Sequence, residues 1–149
     1  MKKEASLSIV EDVKNHKFLM IKHLRGVNKG YVNFPGGKKE ENETMEECVI
    51  RETFEETAIS IKNPKLVGYA EFPGMGFYVY IYKTTEFSGT IQAKEGEVEV
   101  FWQDIDNIPY SKMRNADKDY LPDILAGKFV KRRYFYDENG EVIEKMDLE

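Results

Sequence analysis

A run of acidic residues between positions 40 and 56 is the part of this chain best suited to chemistry. It contains eight glutamates and a single basic residue, Arg51, so most of its negative charge has no partner nearby in sequence. The glutamates are Glu40, Glu41, Glu43, Glu46, Glu47, Glu52, Glu55 and Glu56. A carboxylate that leaves water must take up a proton, pair with a cation or bind a metal. This stretch therefore indicates an oxygen-ligand site for Mg²⁺ or Mn²⁺.

One helix is predicted to carry these glutamates. Thr44 and Glu47 have the spacing of a capping box, which places the start of the helix near Met45. Before it, Gly36-Gly37 is interpreted as a turn whose backbone can take a positive φ or approach a ligand closely.

Acidic and apolar side chains share one stripe of this helix, at about 100° per residue. The stripe consists of Met45, Cys48, Val49, Glu52, Glu56 and Ile59, with Glu55 at its edge. An ordinary surface helix carries its charges opposite the apolar stripe, and a solvated charged face is the alternative interpretation. Arg51 is four residues from Glu47 and from Glu55, so we expect it to order the helix surface. Glu52, Glu55 and Glu56 would then remain free to bind the cation.

Residues 37–59 follow a long pattern of fixed spacing. Gly37 is followed after five residues by Glu43, after seven more by Arg51-Glu52, and after two more by Glu55-Glu56. A small and an aliphatic residue end the pattern, which resembles the Nudix box. Its length makes the resemblance far more specific than that of a short phosphate-binding loop. Two positions depart from the family pattern: Ala58 stands in place of glycine, and Thr53 in place of an aliphatic residue.

The resemblance implies a fold, a cofactor and a set of site residues. The fold would be the Nudix α/β/α sandwich, of the α+β class, with a mixed β-sheet between helices and one domain over residues 1–149. The implied cofactor is Mg²⁺, with Mn²⁺ possible, and the implied metal ligands are the Gly36 carbonyl, Glu52, Glu55, Glu56 and Glu97. Glu52 is the first candidate for the general base and Glu97 the second. Gly37, Glu43 and Arg51 would support the box structurally.

The resemblance also implies a reaction. The family hydrolyses nucleoside diphosphates linked to another group, and the oxidised-purine branch would cleave a triphosphate such as 8-oxo-dGTP to monophosphate and pyrophosphate, which sanitises the nucleotide pool. The implied substrate-binding residues are Ser8, His23, Asn33 and Asp117. Arg114 stands where the animal enzymes have a stacking tryptophan, and Ala116 replaces one of two paired aspartates. The alternatives are hydrolysis of another nucleoside diphosphate derivative, or a non-catalytic regulatory domain, which usually loses box glutamates.

Three of these assignments compete with simpler interpretations. Residues 23–30 form a loop with two glycines and several basic side chains, which suits either substrate contact or a solvated connection. Asn33 could read a purine edge or stabilise a turn through its own backbone. The resemblance also implies one further metal-binding acid from a loop late in the chain, and either Glu95 or Glu97 could supply it. Glu97 is preferred because it stands at the start of a predicted strand.

The remaining elements are predicted from alternation and turn residues. A hairpin is expected around Asn15-His16, a second around residues 73–76 and a third around the Asn139-Gly140 turn. Predicted strands cover 7–10, 17–22, 31–35, 65–72, 77–83, 97–102, 129–136 and 141–146. A second helix is expected to run through Leu125 and end at Gly127, with Pro122 placed awkwardly unless the helix begins late.

Length and composition limit the setting. The 149 residues fit one domain, and 41% hydrophobic with 33% charged residues are typical of a soluble globular protein. No apolar run approaches the roughly 18 residues of a membrane span, and the first ten residues lack a secretory signal. Cys48 is the only cysteine, which suits the cytoplasm. A net charge of −5 argues against binding nucleic acid polymers, so the expected partner is a nucleoside triphosphate, with a monomer or homodimer as the assembly.

Overall fold

A computed structural model describes residues 3–148, apart from the side chain of Ile143. The helices are α1 (Met45–Thr57) and α2 (Asn115–Leu125). The strands are β1 (Lys3–Asp12), β2 (Lys17–His23), β3 (Val32–Asn33), β4 (Gly36–Lys38), β5 (Ser60–Lys62), β6 (Lys65–Phe72), β7 (Phe77–Thr84), β8 (Glu86–Ser88), β9 (Val98–Asp104), β10 (Val130–Tyr136) and β11 (Val142–Asp147).

One mixed sheet contains most of these strands, in the order β11-β10-β6-β7-β1-β2-β3, with β4 paired to β1 and β9 paired to β2. The β1–β7 and β6–β10 pairs are parallel, and the other pairs are antiparallel. The short strands β5 and β8, which we did not predict, form a separate two-stranded sheet. The three predicted hairpins are confirmed as β1–β2, β6–β7 and β10–β11.

The sheet carries one hydrophobic cluster on each face. Successive residues of a strand point to opposite faces, so Ile9 packs with Leu121 of α2 while its neighbour Val10 packs with Val49 of α1. Each helix therefore covers a different face. The predicted arrangement of a mixed sheet between helices is confirmed.

Gly36 and Gly37 differ from the prediction, because they lie in strand β4 and neither has a positive φ. They pair with Leu7 and Ser6 of β1. A Cβ on Gly36 would lie 1.9 Å from the Ser6 carbonyl oxygen, far closer than atoms can pack. Close approach of the backbone, and not a turn, explains why glycine is needed here.

Helix α1 begins where the capping box predicted. The Thr44 hydroxyl accepts a hydrogen bond from the Glu47 amide, and the Glu47 carboxylate accepts one from the Thr44 amide. Its buried face, however, consists of Cys48, Val49, Thr53 and Thr57. The predicted stripe was therefore rotated, and the glutamates flank the buried face instead of occupying its centre. Two threonines can be buried because each hydroxyl lies 2.6 Å from the carbonyl oxygen four residues earlier, within hydrogen-bond distance.

Helix α2 begins at Asn115, so Pro122 lies inside it and a late start is wrong. Gly127 follows the helix with φ +88°, a conformation that favours glycine. The predicted strand over residues 31–35 is reduced to Val32–Asn33, because the chain leaves β2 and crosses to β1 within a few residues.

Candidate active site

The peptide between Pro35 and Gly36 connects the sheet to the glutamates of α1. The Pro35 carbonyl accepts a hydrogen bond from the Ser8 amide of β1 at 2.8 Å. On the other side of the same peptide, the Gly36 amide donates to Glu56 Oε1 at 2.8 Å. The Glu56 carboxylate is thus held against strand β4 by a backbone group.

Glu56 is the carboxylate of the box whose pKa is raised. Burial raises its pKa to about 7, and the negative charges of Glu52 and Glu97 act in the same direction. The Gly36 hydrogen bond and the charge of Lys94 oppose this shift. A carboxyl surrounded by like charges in a partly buried position is the kind of group that a bound cation would stabilise in its ionised form.

Arg51 is bound by several carboxylates at once. It forms a forked pair with Glu43, with Nη2 to Oε1 at 2.7 Å and Nε to Oε2 at 3.0 Å. Its Nη1 also donates to Glu52 at 2.8 Å and to Glu55 at 3.0 Å. The predicted pairing with Glu55 is present, whereas Glu47 serves the capping box. The expectation that Glu52 and Glu55 stand free is wrong for this arrangement of side chains.

Glu43 ties the loop before α1 to the helix. It accepts a hydrogen bond from the Glu40 amide at 2.8 Å in addition to the Arg51 fork. The hydrogen bonds from Arg51 and from the Glu40 backbone lower the pKa of Glu43 to about 2. Arg51 also donates to the Lys38 carbonyl at 3.1 Å, so Glu43 and Arg51 together hold β4 and α1 in register.

Glu97 lies immediately before β9, close enough to Glu56 for its charge to raise the pKa of that carboxyl. Its carboxylate pairs with Arg25 Nη2 at 2.7 Å and with Lys94 Nζ at 3.6 Å. Its carbonyl accepts a hydrogen bond from the Leu24 amide, which ties the loop after β2 to the start of β9. Arg25 and Lys94 were not predicted as site residues, because a positive charge beside a predicted site loop is their only signal in the sequence.

The donor set fits a hard divalent cation, because it consists of carboxylates and backbone carbonyls only. Gly37 leaves space for the Glu52 carboxylate, because a Cβ at position 37 would lie 2.3 Å from the carboxylate carbon of Glu52. Within the described residues, a group of possible ligand atoms that all lie within 4.8 Å of one another is found elsewhere, at His16, Asp104 and Asp106. These residues lie at the far end of β9, where Asp104 caps a turn and Asp106 binds His16, so hydrogen bonding within the turn accounts for them.

Ser8 lies in the interface between β1 and α1. Its side chain is 1% exposed, and its hydroxyl contacts Thr53 at 2.7 Å and the Pro35 carbonyl at 3.3 Å. The prediction of direct substrate contact by Ser8 conflicts with this burial. The alternation of β1 explains the error, because Ser8 shares the α1 face with Val10.

The other predicted substrate residues are His23 at the end of β2, Asn33 in β3 and Asp117 in α2. Burial and the positive charge of Arg114 hold the pKa of His23 below its ordinary value. Asn33 is half-buried, and its Oδ1 accepts a hydrogen bond from the Phe34 amide, so the backbone-stabilising interpretation of Asn33 describes part of its role. Its Nδ2 donates to no group in residues 3–148.

Asp117 is buried in the first turn of α2. It accepts a hydrogen bond from the Tyr120 hydroxyl, and burial raises its pKa to about 6. Arg114 lies close enough for its charge to act on both Asp117 and His23. The Arg114 guanidinium lies 4.0 Å from the centroid of the Tyr31 ring, a cation–π contact that the sequence analysis did not anticipate.

Arg114 also fixes the loop between β2 and β3. Its Nη2 donates to Asn28 Oδ1 and to the Val27 carbonyl, both at 2.9 Å. The loop predicted as a substrate loop is therefore attached to the start of α2, next to His23 and Asp117.

The structure thus contains two groups of functional side chains: carboxylates on the second half of α1 and just before β9, and a mixed polar group at the end of β2, in β3 and at the start of α2. The family model described as NUDIX domain matches residues 1–124. The chain belongs to the Nudix family. Its mixed sheet and two helices are the Nudix fold, and the protein is a Nudix hydrolase.

Relatives of this Nudix hydrolase act on nucleotides. The chain is 28% identical over 146 residues to an oxidized purine nucleoside triphosphate hydrolase of Danio rerio, covering 95% of this chain and 93% of the relative. It is 30% identical over 94 residues to an 8-oxo-dGTP diphosphatase of Proteus vulgaris, covering 62% of this chain and 84% of the relative. Among solved structures, the mutator MutT protein of Bacillus halodurans matches with a TM-score of 0.79 and 27% identity, covering 97% of this chain and 96% of that one.

Neither helix within residues 3–148 is both long and apolar enough to pass through a bilayer.

Proposed function

We propose that this Nudix hydrolase cleaves purine nucleoside triphosphates, including oxidised ones such as 8-oxo-dGTP, to the monophosphate and pyrophosphate in a Mg²⁺-dependent reaction. The observation that carries the proposal is the position of Glu56, bound to the Gly36 amide and close enough to Glu52 and Glu97 for their charges to raise its pKa. Relatives with that printed activity support the substrate class.

At the phosphate end, we assign the metal to Glu52, Glu55, Glu56, Glu97 and the Gly36 carbonyl. When bound, a divalent cation would gather phosphate oxygens and lower the pKa of the attacking water. Glu52 is our first candidate for accepting the proton of that water and Glu97 our second. Mn²⁺ has the same ligand preference and is expected to substitute.

The scaffold of the box has a separate task. Arg51 and Glu43 hold β4 and α1 in register, and Gly37 leaves the space that the Glu52 carboxylate occupies. Arg25 and Lys94, both paired with Glu97, supply positive charge at the mouth of the site, where an anionic triphosphate would approach.

At the base end, we assign recognition to Asn33, Asp117 and His23, with Arg114 beside them. Burial raises the pKa of Asp117 to about 6, and in its protonated form Asp117 can donate to an acceptor on a purine edge. The Nδ2 of Asn33 is a second donor. Ser8 is not included, because its hydroxyl is buried under α1.

We further propose that residues 1–149 act as a single Nudix domain, as a monomer or homodimer, in the cytoplasm, where hydrolysis would remove damaged nucleotides before they reach DNA. The net charge of −5 supports a free nucleotide, and not a nucleic acid polymer, as the partner.

The test is an assay of pyrophosphate release with Mg²⁺ for 8-oxo-dGTP, dGTP, dATP, dCTP and dTTP, run beside an ADP-ribose assay in which a phosphatase releases phosphate from the AMP and ribose 5-phosphate formed. We expect the highest kcat/KM for a purine triphosphate. A higher value for ADP-ribose would favour another nucleoside diphosphate derivative, and no turnover of any substrate would favour a regulatory nucleotide-binding domain.

A further inference from the structure

A buried pair of hydroxyls lies between β1 and α1, next to Glu52 in sequence. Ser8 Oγ on β1 and Thr53 Oγ1 on α1 are 2.7 Å apart, and their side chains are 1% and 0% exposed. Thr53 is also one of the two positions where this box departs from the pattern, which has an aliphatic residue there. A buried hydroxyl in place of an aliphatic group costs stability unless it is hydrogen-bonded, so its partners are the key to its role.

The hydroxyl protons allow two arrangements. Three contacts are short enough to be hydrogen bonds: Thr53 to the Val49 carbonyl at 2.6 Å, Ser8 to Thr53 at 2.7 Å, and Ser8 to the Pro35 carbonyl at 3.3 Å. Two protons can fill two of the three. Either Thr53 donates to Val49 and Ser8 to Thr53, or Thr53 donates to Ser8 and Ser8 to Pro35. In the first arrangement the Ser8 hydroxyl bonds to Thr53 on the helix, and only the Ser8 amide holds the Pro35 carbonyl. In the second arrangement the Ser8 hydroxyl also donates to the Pro35 carbonyl.

The Pro35–Gly36 peptide transmits this contact to Glu56. Its carbonyl also accepts the Ser8 amide at 2.8 Å, and its N–H donates to Glu56 Oε1 at 2.8 Å. A peptide unit is planar and rigid, so fixing its oxygen also fixes the direction in which its N–H points. Ser8 contacts this carbonyl through both its amide and its hydroxyl, and Thr53 contacts Ser8, so the two hydroxyls are placed to influence the orientation of the group that holds the Glu56 carboxylate.

We propose that Ser8 and Thr53 are positioning residues for Glu56, acting through the Pro35–Gly36 peptide. This inference rests on the proposed function, because it takes Glu56 as a metal ligand. Ser8 would then not contact the substrate, as was expected, but would act on Glu56 through one peptide unit. Partners that orient a ligand in this way typically change metal affinity by about 10–100-fold when they are removed.

The experiment measures Mn²⁺ binding without substrate, from the electron paramagnetic resonance signal of free Mn²⁺. The test variants are Ser8→Ala and Thr53→Val, which remove one hydroxyl each with little change in volume. Thr57→Val is the matched control. Thr57 is equally buried one turn further along the same helix, where its hydroxyl donates to the Thr53 carbonyl at 2.6 Å and accepts the Ile59 amide at 3.1 Å. Within residues 3–148 it makes no hydrogen bond to Ser8 or Pro35.

We expect Ser8→Ala and Thr53→Val to raise the Kd for Mn²⁺ about tenfold or more, while Thr57→Val keeps the parent Kd. Thr53→Ser restores the hydroxyl and should return the Kd close to the parent value, which loss of packing alone would not do. Circular dichroism checks folding. If Thr53→Val does not fold, Ser8→Ala, which removes a single atom, and Thr53→Ser carry the comparison.

The outcomes separate this inference from the proposed function. If the parent binds Mn²⁺ and Glu56→Gln weakens binding, but Ser8→Ala and Thr53→Val behave like Thr57→Val, the positioning role is overturned and the metal site stands. If the parent binds no Mn²⁺, or Glu56→Gln binds as tightly as the parent, the metal assignment fails and this inference fails with it.

Discussion

The glutamates of the box have the same side chain but differ in their hydrogen-bond partners and therefore in their roles. Glu47 caps a helix, Glu43 binds an arginine, and Glu56 is held by a backbone amide with its pKa raised to about 7. Glu46, in contrast, is exposed in the first turn of α1. The environment of each side chain, and not its type, determines what its substitution should do.

Glu56→Gln should lower turnover at least about a hundredfold, because the amide keeps the shape of the side chain but removes the charge that would hold a cation. Glu46→Gln is the matched control and should change turnover little. Steady-state assays with Mg²⁺ make the comparison, and circular dichroism establishes that both variants fold. Equal activity of the two variants would contradict the metal assignment.

Asp117→Ala and Asn33→Ala should reduce selectivity for the base. Losing one buried hydrogen bond costs about 1–3 kcal/mol, which corresponds to roughly ten- to a hundredfold in specificity. The measurement is the ratio of kcat/KM for 8-oxo-dGTP over dGTP, together with the purine-over-pyrimidine ratio, in the parent and in both variants. Unchanged ratios in both would place base recognition elsewhere.

Asp117 should also make the stability of the protein depend on pH. Its folded pKa of about 6 exceeds the ordinary 3.8, so the folded state retains a proton that the unfolded chain has released. The stabilisation by this proton is complete below about pH 4 and is lost as the pH rises through about 6. Asp117→Asn keeps an acceptor for the Tyr120 hydroxyl but does not titrate.

The free energy of unfolding of Asp117→Asn, relative to the parent, should therefore increase between pH 4 and pH 7, by up to about 3 kcal/mol. Urea denaturation at a series of pH values gives this difference, and taking it against the parent cancels the titration of other carboxylates. A difference independent of pH would mean that Asp117 does not hold its proton in the folded state.

At the scale of elements, helix α1 ends in an unfavourable conformation. Ala58 has φ +66°, in the left-handed region, and its amide donates to the Phe54 carbonyl at 2.8 Å. The family pattern has glycine at this position, and the geometry explains the preference: a residue with a Cβ costs about 1–2 kcal/mol in this region, whereas glycine does not.

Ala58→Gly should raise the free energy of unfolding by about 1 kcal/mol. Ala126 is a suitable control because it also follows a helix, but with φ −80°, where glycine relieves no strain. Ala126→Gly should leave stability unchanged or lower it. Thermal unfolding of the three proteins decides the matter, and a lower Tm for Ala58→Gly would contradict the prediction.

The elements differ in how well the sequence predicted them. The start of α1 followed from Thr44 and Glu47 because capping is a local interaction. The extended conformation of Gly36-Gly37 did not follow, because it depends on close packing against Ser6 and Glu52, which are distant in sequence. Strands β5 and β8 were missed because three residues are too few for alternation to be recognised.

At the scale of the whole molecule, the acidic balance makes the activity depend on metal. A triphosphate cannot approach the carboxylates of the box without cations, given the net charge of −5. Chelation with EDTA should abolish hydrolysis, and addition of Mg²⁺ or Mn²⁺ should restore it. Hydrolysis that continues after exhaustive chelation would require a different mechanism.

The order of the strands in the sheet could not be predicted from the sequence. The parallel pairing of β1 with β7 joins segments some 70 residues apart, and no local pattern specifies such a pair. The same limit explains the site: the box was found because it is contiguous, whereas the contacts of Arg114 with Tyr31 and of Glu97 with Arg25 join distant loops.

A cysteine on the buried face of α1 can be used to measure how often the helix separates from β4. Cys48 is fully buried there, with its thiol 3.6 Å from the Gly37 carbonyl, and it is the only cysteine of the chain. A thiol reagent can reach it only when the helix separates from β4, so the rate of modification under native conditions reports the free energy of that opening. Any ion or nucleotide that binds across the helix and the strand should slow the modification in proportion to its occupancy. The rate of Cys48 modification therefore measures ligand binding at the box without an added probe group.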